Sequence, residues 1–378
     1  MKQTSLPQNQ TPLQQYPRTQ QDHINWIRLI RSRRVGPTTF HRLMRKHETV
    51  EACLDELPHI AKQAGVNNYQ LCPYDIAEAE FFESQQRGYR PLCYGAPEYP
   101  VLLTDTHDAP PLLWTKGHLE CLAKPTIALV GARNASSLGR RMTQTLANDL
   151  AQAGYSVVSG LARGIDAVAH KATLEHGTIA VVAGGLDVHY PRENEQLYKD
   201  IPQNGLLLTE QPSGLIPQAR HFPMRNRIIA GMAQAVVVLE GAARSGSLIT
   251  ARNALDIGRD VMAVPGHPFD GRAAGCNFLI RDGAVLVRSA QDVIEALAHP
   301  EAETVETSEP ESTNTVMDVS TANAHAKILG LLGSAAVPED TVIRDSGLPA
   351  RKVSQHLMDL EMQGQIERQP GGLLARAN

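Results

Sequence analysis

Aromatic side chains are scarce in this chain, at 4% of 378 residues, and so is charge of one sign: 36 Lys and Arg face 40 Asp and Glu, a formal net charge of −4. The overall balance therefore announces no nucleic-acid or membrane partner, and any polyanion must be met by a local arrangement. The five cysteines, at 53, 72, 93, 121 and 276, are odd in number and include no C-x-x-C pair. That argues against a disulfide framework or a zinc knuckle and for reduced thiols in a cytoplasmic protein. No apolar run approaches the roughly 18 residues of a membrane span. Residues 1–21 are polar and glutamine-rich, lack the apolar core of a signal peptide, and read as a disordered tail. A G-x-x-x-x-G-K-[ST] loop is missing, which argues against ATP hydrolysis, and no His, Cys or Asp cluster suggests a metal; no cofactor is expected.

What the chain does have is alternation. Between Lys124 and Ala298 the runs TIALV, YSVVS, TIAVVA, GLLLT, AVVVLE and DVMAVP alternate with helical patterns, the signature of a parallel sheet with crossover helices. In the first of these helices Leu138, Met142, Leu146 and Leu150 recur every four residues and predict a buried stripe. Residues 299–321 belong to a stretch with several Glu and no Lys or Arg, read as an extended acidic linker. Residues 322–378 then read helix, helix, helix and hairpin, a winged-helix pattern. Its third helix offers Arg351, Lys352 and Gln355, but six Lys and Arg balance six Asp and Glu over the segment, which favours a protein-contact or auxiliary role.

An alternating α/β sheet binds ligands at the carboxyl ends of its strands, and the glycines and arginines crowd there. Successive loops carry Gly131-Ala132-Arg133, then Gly160 to Gly164 with Arg163, then Gly184-Gly185 leading to Tyr190-Pro191-Arg192. Later come His221 to Arg227, with Phe222, Arg225, Asn226 and Arg227, and the triplet Arg244-Ser245-Gly246. Glycine admits backbone N–H groups close to an anion, helix starts favour negative charge, and guanidinium groups bind phosphate in a fork. From Lys124 to Ala298 there are 14 Arg, 3 Lys and 15 Asp and Glu, a local balance of +2.

Plainer readings apply to some of these residues. Arg140 and Arg141 lie inside a helix and read as solvated surface, while Asp166 and His170 suit capping and packing better than acid–base chemistry. The basic run RLIRSRRVGPTTFHRLMRKH, residues 28 to 47, fits either a nucleic-acid contact or two charged helix faces around a Gly-Pro turn.

Six motifs in order, GAR at 131, SGLARGID at 159, GLDVHYPREN at 185, HFPMRNRIIAG at 221, RSGSLITA at 244 and VPGHP at 264, resemble the DNA-processing protein family, DprA, also called Smf. The resemblance implies an extended Rossmann-like core over 91–298, a small helical domain of SAM or helix-hairpin-helix type over 22–90, and a C-terminal winged helix. It further implies binding of single-stranded DNA, homodimers, and loading of the RecA recombinase in natural transformation. Arg133 falls at the family's backbone-contacting arginine; Arg192 falls where the family carries Lys. Arg163, Asn226 and Arg227 match other polar rim positions, and Tyr190 and Phe222 are the candidate stacking platforms. The family's dimer contacts fall near GCNFLIRDGAVLV, residues 275 to 287, with Asn277, Phe278, Asp282 and Leu286 as candidates.

The rival reading is a nucleoside-monophosphate phosphoribohydrolase of the lysine-decarboxylase-like group, which shares the fold class. Thr250 stands where that class would carry its catalytic glutamate, so no catalytic residue is assigned. Gly131-Ala132-Arg133 also fails the dinucleotide pattern G-x-G-x-x-G and suits a phosphodiester better than a pyrophosphate.

Overall fold

The computed structural model describes residues 16–298, 321–332, 337–348, 350–362, 365–369 and 373–376. Residues 1–15 of the expected tail and 299–320 of the expected linker lie outside the described residues. Four helices come first: α1 (Gln20–Arg31), α2 (Pro37–His47), α3 (Val50–Gln63) and α4 (Tyr74–Gln86). Helix α1 starts inside the segment read as tail, because Thr19 caps it: its hydroxyl accepts the Asp22 N–H and Asp22 accepts the Thr19 N–H.

The chain continues through β1 (Arg90–Cys93), α5 (Val101–Thr104), β2 (Leu112–Gly117), β3 (Thr126–Gly131), α6 (Ser137–Gln152), β4 (Ser156–Ser159) and α7 (Ile165–Thr173). Then come β5 (Thr178–Val181), α8 (Glu195–Asn204), β6 (Leu206–Thr209), α9 (His221–Met232), β7 (Ala235–Leu239) and α10 (Gly246–Asp256). The last elements of this unit are β8 (Asp260–Ala263), α11 (Ala274–Arg281), β9 (Val285–Leu286) and α12 (Ala290–Ala298). The nine strands form one sheet in the order β1-β2-β6-β5-β4-β3-β7-β8-β9. From β6 to β9 all neighbours are parallel, and β4, β5, β6 and β7 are buried along their whole length, as helices on both faces require. Strands β1 and β2 extend the β6 edge antiparallel. The sequence runs foretold β3 to β8; β1, only four residues with a proline among them, carried no strand pattern.

The chain winds from β3 outward to β6, then returns beside β3 with β7 and winds the other way. This reversal opens a crevice at the carboxyl ends of β3 and β7. On α6 the expected stripe is half right. Leu146 and Leu150 are buried, but Leu138 is 69% exposed. A four-residue step overshoots one helical turn by about 40°, so three steps carry Leu138 about 120° off the face that Leu150 buries.

Helices α1 to α4 share one apolar cluster with the sheet: Trp26, Phe40 and Phe81 pack in the same core as Leu112, Trp114 and Leu207. Polar pins close the seam. The Trp26 indole donates to the Pro111 carbonyl at 2.9 Å, and the Trp114 indole to Glu80 at 2.9 Å. Glu80 also takes a forked contact from Arg31 at 2.8 and 2.9 Å. Residue 90 therefore divides the chain by connectivity, while the packing runs across it.

A second unit holds α13 (Thr321–Leu331), β10 (Val337–Pro338), α14 (Glu339–Ser346), α15 (Ala350–Met362), β11 (Ile366–Gln369) and β12 (Leu373–Arg376). Three helices and the sheet β10-β12-β11 enclose Ile328, Val342, Val353, Leu357 and Leu374, a winged-helix arrangement. Lys352 is exposed on α15; the side chains of Arg351 and Gln355 lie outside the described residues.

None of the three apolar clusters within residues 16–298 draws on the second unit. A chain ended at Ala298 is therefore expected to unfold cooperatively, with a thermal midpoint within a few degrees of the corresponding transition in the full chain. A broad, low-temperature transition by circular dichroism would contradict this.

Candidate nucleic-acid interface

The rim is built around the turn between β4 and α7. Leu161 and Gly164 have positive φ, +53° and +80°. A Cβ on Gly164 would lie 2.1 Å from the Ala132 carbonyl, so only glycine lets this loop meet the one after β3. The turn is stitched from three sides. The buried Asp166 carboxylate accepts the N–H groups of Gly160 and Ala162 at 3.1 and 3.3 Å. His170 Nε2 accepts the Leu161 N–H at 3.3 Å, and Asn194 donates to the Leu161 and Ala162 carbonyls at 2.9 and 3.1 Å. The Thr178 hydroxyl donates to the Val157 carbonyl at 3.2 Å, leaving its oxygen to accept from His170 Nδ1 at 2.8 Å. His170 is thereby a neutral imidazole with one donor and one acceptor. Burial pushes its pKa down to about 3, and the nearby Arg225 charge adds to the effect. Burial raises Asp166, against the pull of Arg225 and of the N–H donors. Both residues hold the loop; the sequence reading as capping and packing names the right kind of role, although Asp166 grips the turn before α7 rather than its N-cap.

Arg225 forms the floor. It is 6% exposed, and its Nη1 donates to the Val181 carbonyl at the end of β5, 2.8 Å away. The guanidinium presses against Gly160, where a Cβ would come 1.6 Å from Nη1. Its Nε is buried without a partner, and burial lowers its pKa against the stabilising charge of Asp166.

Above this floor lie two adjoining cavities, of about 400 and 480 Å³. Arg133, Tyr190, Phe222 and Arg225 line both. The Arg133 guanidinium sits 5.3 Å over the Phe222 ring, and the Tyr190 ring centroid is 5.8 Å from that of Phe222. Arg163 and Arg192 belong to the first cavity; Gly131, Asn226 and Gly246 to the second. Arg133 and Arg192 are exposed with no carboxylate within ion-pairing distance among the described residues. Arg163 pairs with Glu193 at 3.2 Å, but both side chains are more than half exposed, so the pair exchanges for a phosphate at little cost. The arrangement offers cationic forks at the edge and two aromatic faces between them.

Not every expected rim residue comes to these cavities. Arg227 turns away: it donates two bonds to Glu210, at 2.6 and 2.7 Å, and another to the Asp108 carbonyl. Those partners lie 17 and 119 residues off in sequence, so the motif gave no hint of them. Gly164 shapes the loop from beneath, and Ser245 shares a 2.6 Å hydrogen bond with Ser247 at the start of α10. Glu240 was missed altogether. It follows β7 at φ +55°, and its carboxylate accepts the Ser136 N–H at 2.8 Å and the Ser136 hydroxyl. It therefore occupies the amino end of α6, where a dinucleotide fold seats its pyrophosphate. Thr250 is buried in the wall of the second cavity, so the position of the phosphoribohydrolase glutamate carries a hydroxyl. Both features weigh against the enzyme reading.

At the far edge, Phe278, Val285 and Leu286 are 46%, 41% and 42% exposed, and Phe278 and Val285 border a groove of about 510 Å³ together with Asp282 and Leu255. Asn277, which precedes Phe278, is half-buried. Its amide exchanges two bonds with the Gly266 backbone, at 3.0 and 3.2 Å, and clamps the loop after β8.

Fold and rim together define a doubly wound α/β protein whose sheet edge is lined by arginine and aromatic side chains. A family model described as DNA recombination-mediator protein A matches residues 90–298; a DprA-like N-terminal HHH domain matches 20–82 and a DprA winged helix domain 311–372. The DNA processing protein DprA of Streptococcus pneumoniae is 48% identical over 202 residues, covering 52% of this chain and 70% of that protein. Protein Smf of Escherichia coli is 37% identical over 282 residues, 72% of this chain and 74% of that one. Among solved structures, DprA from S. pneumoniae superposes with a TM-score of 0.54 at 35% identity, over 70% of this chain and 98% of the other. DprA from Helicobacter pylori, whose structure describes a single-stranded DNA binding mode, gives 0.52 at 29% identity over 56% and 95%. The chain belongs to the DNA recombination-mediator protein A family, DprA/Smf.

His170 gives the fold a pH dependence with a definite sign. The imidazole stays neutral when folded, down to about pH 3, but protonates below about 6.5 when unfolded. Its contribution to stability is complete above that value and is lost as pH falls toward the folded value. Urea titrations near pH 6 and pH 5 are expected to show a His170→Gln chain losing less stability than the parent, by up to about 1.4 kcal/mol per pH unit. Equal losses would contradict a buried neutral His170.

Proposed function

We propose that this chain binds single-stranded DNA along the carboxyl-end rim of its sheet, protects incoming strands, and loads the RecA recombinase onto them in natural transformation, as a cytoplasmic homodimer. The observation that carries the reading is the shared wall of the two cavities, with Arg133 stacked on Phe222 and Tyr190 beside it over a buried Arg225. Guanidinium groups suit phosphates, and exposed aromatic faces suit unpaired bases of any sequence. Loops from β5, β4, β3, β7 and β8 follow one another along this edge, spaced about 4.8 Å apart, a track of roughly 19 Å that spans several nucleotides. The H. pylori relative's single-stranded DNA binding mode and the family's description as a recombination mediator support the same reading. No helix among the described residues is long and apolar enough to cross a membrane.

In this reading Arg133 and Arg192 each neutralise a backbone phosphate, Arg163 joins them by releasing Glu193, and Phe222 and Tyr190 stack bases. Gly131, Asn226 and Gly246 line the second half of the track, with Gly164 and Ser245 shaping its loops. Arg225 anchors the floor. Replacing Arg133 or Arg192 by Ala is expected to weaken single-strand binding for any sequence and to shallow its salt slope by about 0.7 per lost contact. Gel shifts or fluorescence titrations at wild-type affinity and slope for both variants would overturn the assignment.

The homodimer forms, on this proposal, through the apolar edge of Phe278, Val285 and Leu286 with Asp282 at its border, setting two rims side by side. Phe278→Glu with Leu286→Glu places like charges across that contact. Sedimentation is expected to give a folded monomer that binds strands less tightly and no longer supports RecA filament assembly. A folded double variant that stays dimeric would place the interface elsewhere.

A further inference from the structure

The basic run at residues 28 to 47 has no place in the rim, yet it carries seven Lys and Arg and no Asp or Glu. Part of it has an ordinary explanation. Arg28 and Arg31 fall in the last turn of α1, and Arg45 and Lys46 in the last turn of α2, where cations complement the helix dipole. Arg33 and Arg34 lie between the helices and have no such reason. Both are exposed, and neither has a carboxylate in ion-pairing distance among the described residues. Arg34 holds φ at +64°, a left-handed conformation that disfavours a side chain of this kind.

The hairpin that carries them is fixed. Ser32 donates to the Arg28 carbonyl at 2.7 Å and accepts the Cys72 N–H at 3.0 Å, and Tyr69 donates its hydroxyl to the Arg33 carbonyl at 2.5 Å. Beside it opens a cleft of about 340 Å³ lined by Arg31, Arg33, Asn68, Tyr69 and Gln70, with no Asp or Glu in its wall. Its position is fixed as well. Arg31 reaches the carbonyl of Glu210, at 3.3 Å, the residue that leaves the carboxyl end of β6. The hairpin therefore stands at the same edge of the sheet as the rim, and β6 lies three strands from β3, about 14 Å along that edge.

We propose that Arg33 and Arg34 form a second phosphate-contact site, which takes the backbone of DNA running off the β6 side of the rim. The direction of that strand rests on the rim reading; the site itself has its own readout. Tyr69, the aromatic residue in the cleft wall, is half-buried against the helical core, so the contact is to phosphates and independent of sequence.

The test uses the full chain with Arg33→Glu and Arg34→Glu together, and with Gln at both positions, against oligo(dT) of about eight and about forty nucleotides. For the charge reversal, affinity for the short strand is expected at the parent value. Affinity for the long strand is expected to fall roughly tenfold, with a salt slope shallower by about 1.4, two contacts at about 0.7 each. The Gln pair should fall between. An unchanged long-strand affinity and slope, as docking of an acidic protein at the hairpin would give, overturns the proposal. So do equal losses at both lengths, which would make the hairpin part of the rim or of the fold. Failure of the rim reading shows separately, as undiminished short-strand binding when Arg133 and Arg192 are both Ala.

Discussion

A guanidinium group shut away from water underlies the rim. Arg225 presses its guanidinium against Gly160, bonds the end of β5, and lies within electrostatic range of Asp166, which grips the backbone N–H groups of the β4 turn. A buried charge is tolerated only when compensated, and removing one partner leaves the other stranded. Helix α9 is thus bonded to strand β5 and pressed against the turn after β4 through one side chain, while Asp166 holds that turn in shape. The cavities above inherit their shape from that tie, because Arg133, Phe222 and Tyr190 all pack around the same floor.

The arginines of this chain divide by partner. Arg31, Arg225 and Arg227 are buried or nearly so: Arg31 bonds Glu80 and the Glu210 carbonyl and so joins the helical region to the sheet, while Arg225 and Arg227 fasten α9 to the Val181 carbonyl, to Glu210 and to the Asp108 carbonyl. Arg133 and Arg192 stand exposed at the edge, and Arg163 has only a solvated partner. A phosphate can recruit the second group without dismantling the first. Glu240 completes the division: by filling the amino end of α6 it removes the position a nucleotide pyrophosphate would claim and leaves the anion-binding capacity to side chains along the edge.

Much of this was legible in the sequence, and the reasons are local. Strands β3 to β8 showed because each is an almost unbroken apolar run buried on both faces. Loop glycines and arginines showed because strand-to-helix turns at one edge repeat the same chemistry. What did not show depends on distance along the chain. Arg227 looked like its rim neighbours until Asp108 and Glu210 were brought beside it, and Glu240 meets Ser136 from 104 residues away. Asn277 sits in a motif that suggested an outward face, but the Gly266 backbone claims both ends of its amide. The α6 stripe failed for a geometric reason, the drift of a four-residue period around a helix, and Leu138 is exposed as a result.

The central claim is that unpaired bases stack at the shared wall of the two cavities. Ultraviolet cross-linking of the full chain to oligo(dT), with the adducts located by mass spectrometry, tests it most directly. The account predicts adducts on the peptides that carry Tyr190 and Phe222, suppressed when Arg133 is replaced by Ala. Adducts confined to residues 321–376, or spread over the surface without these two positions, would contradict it.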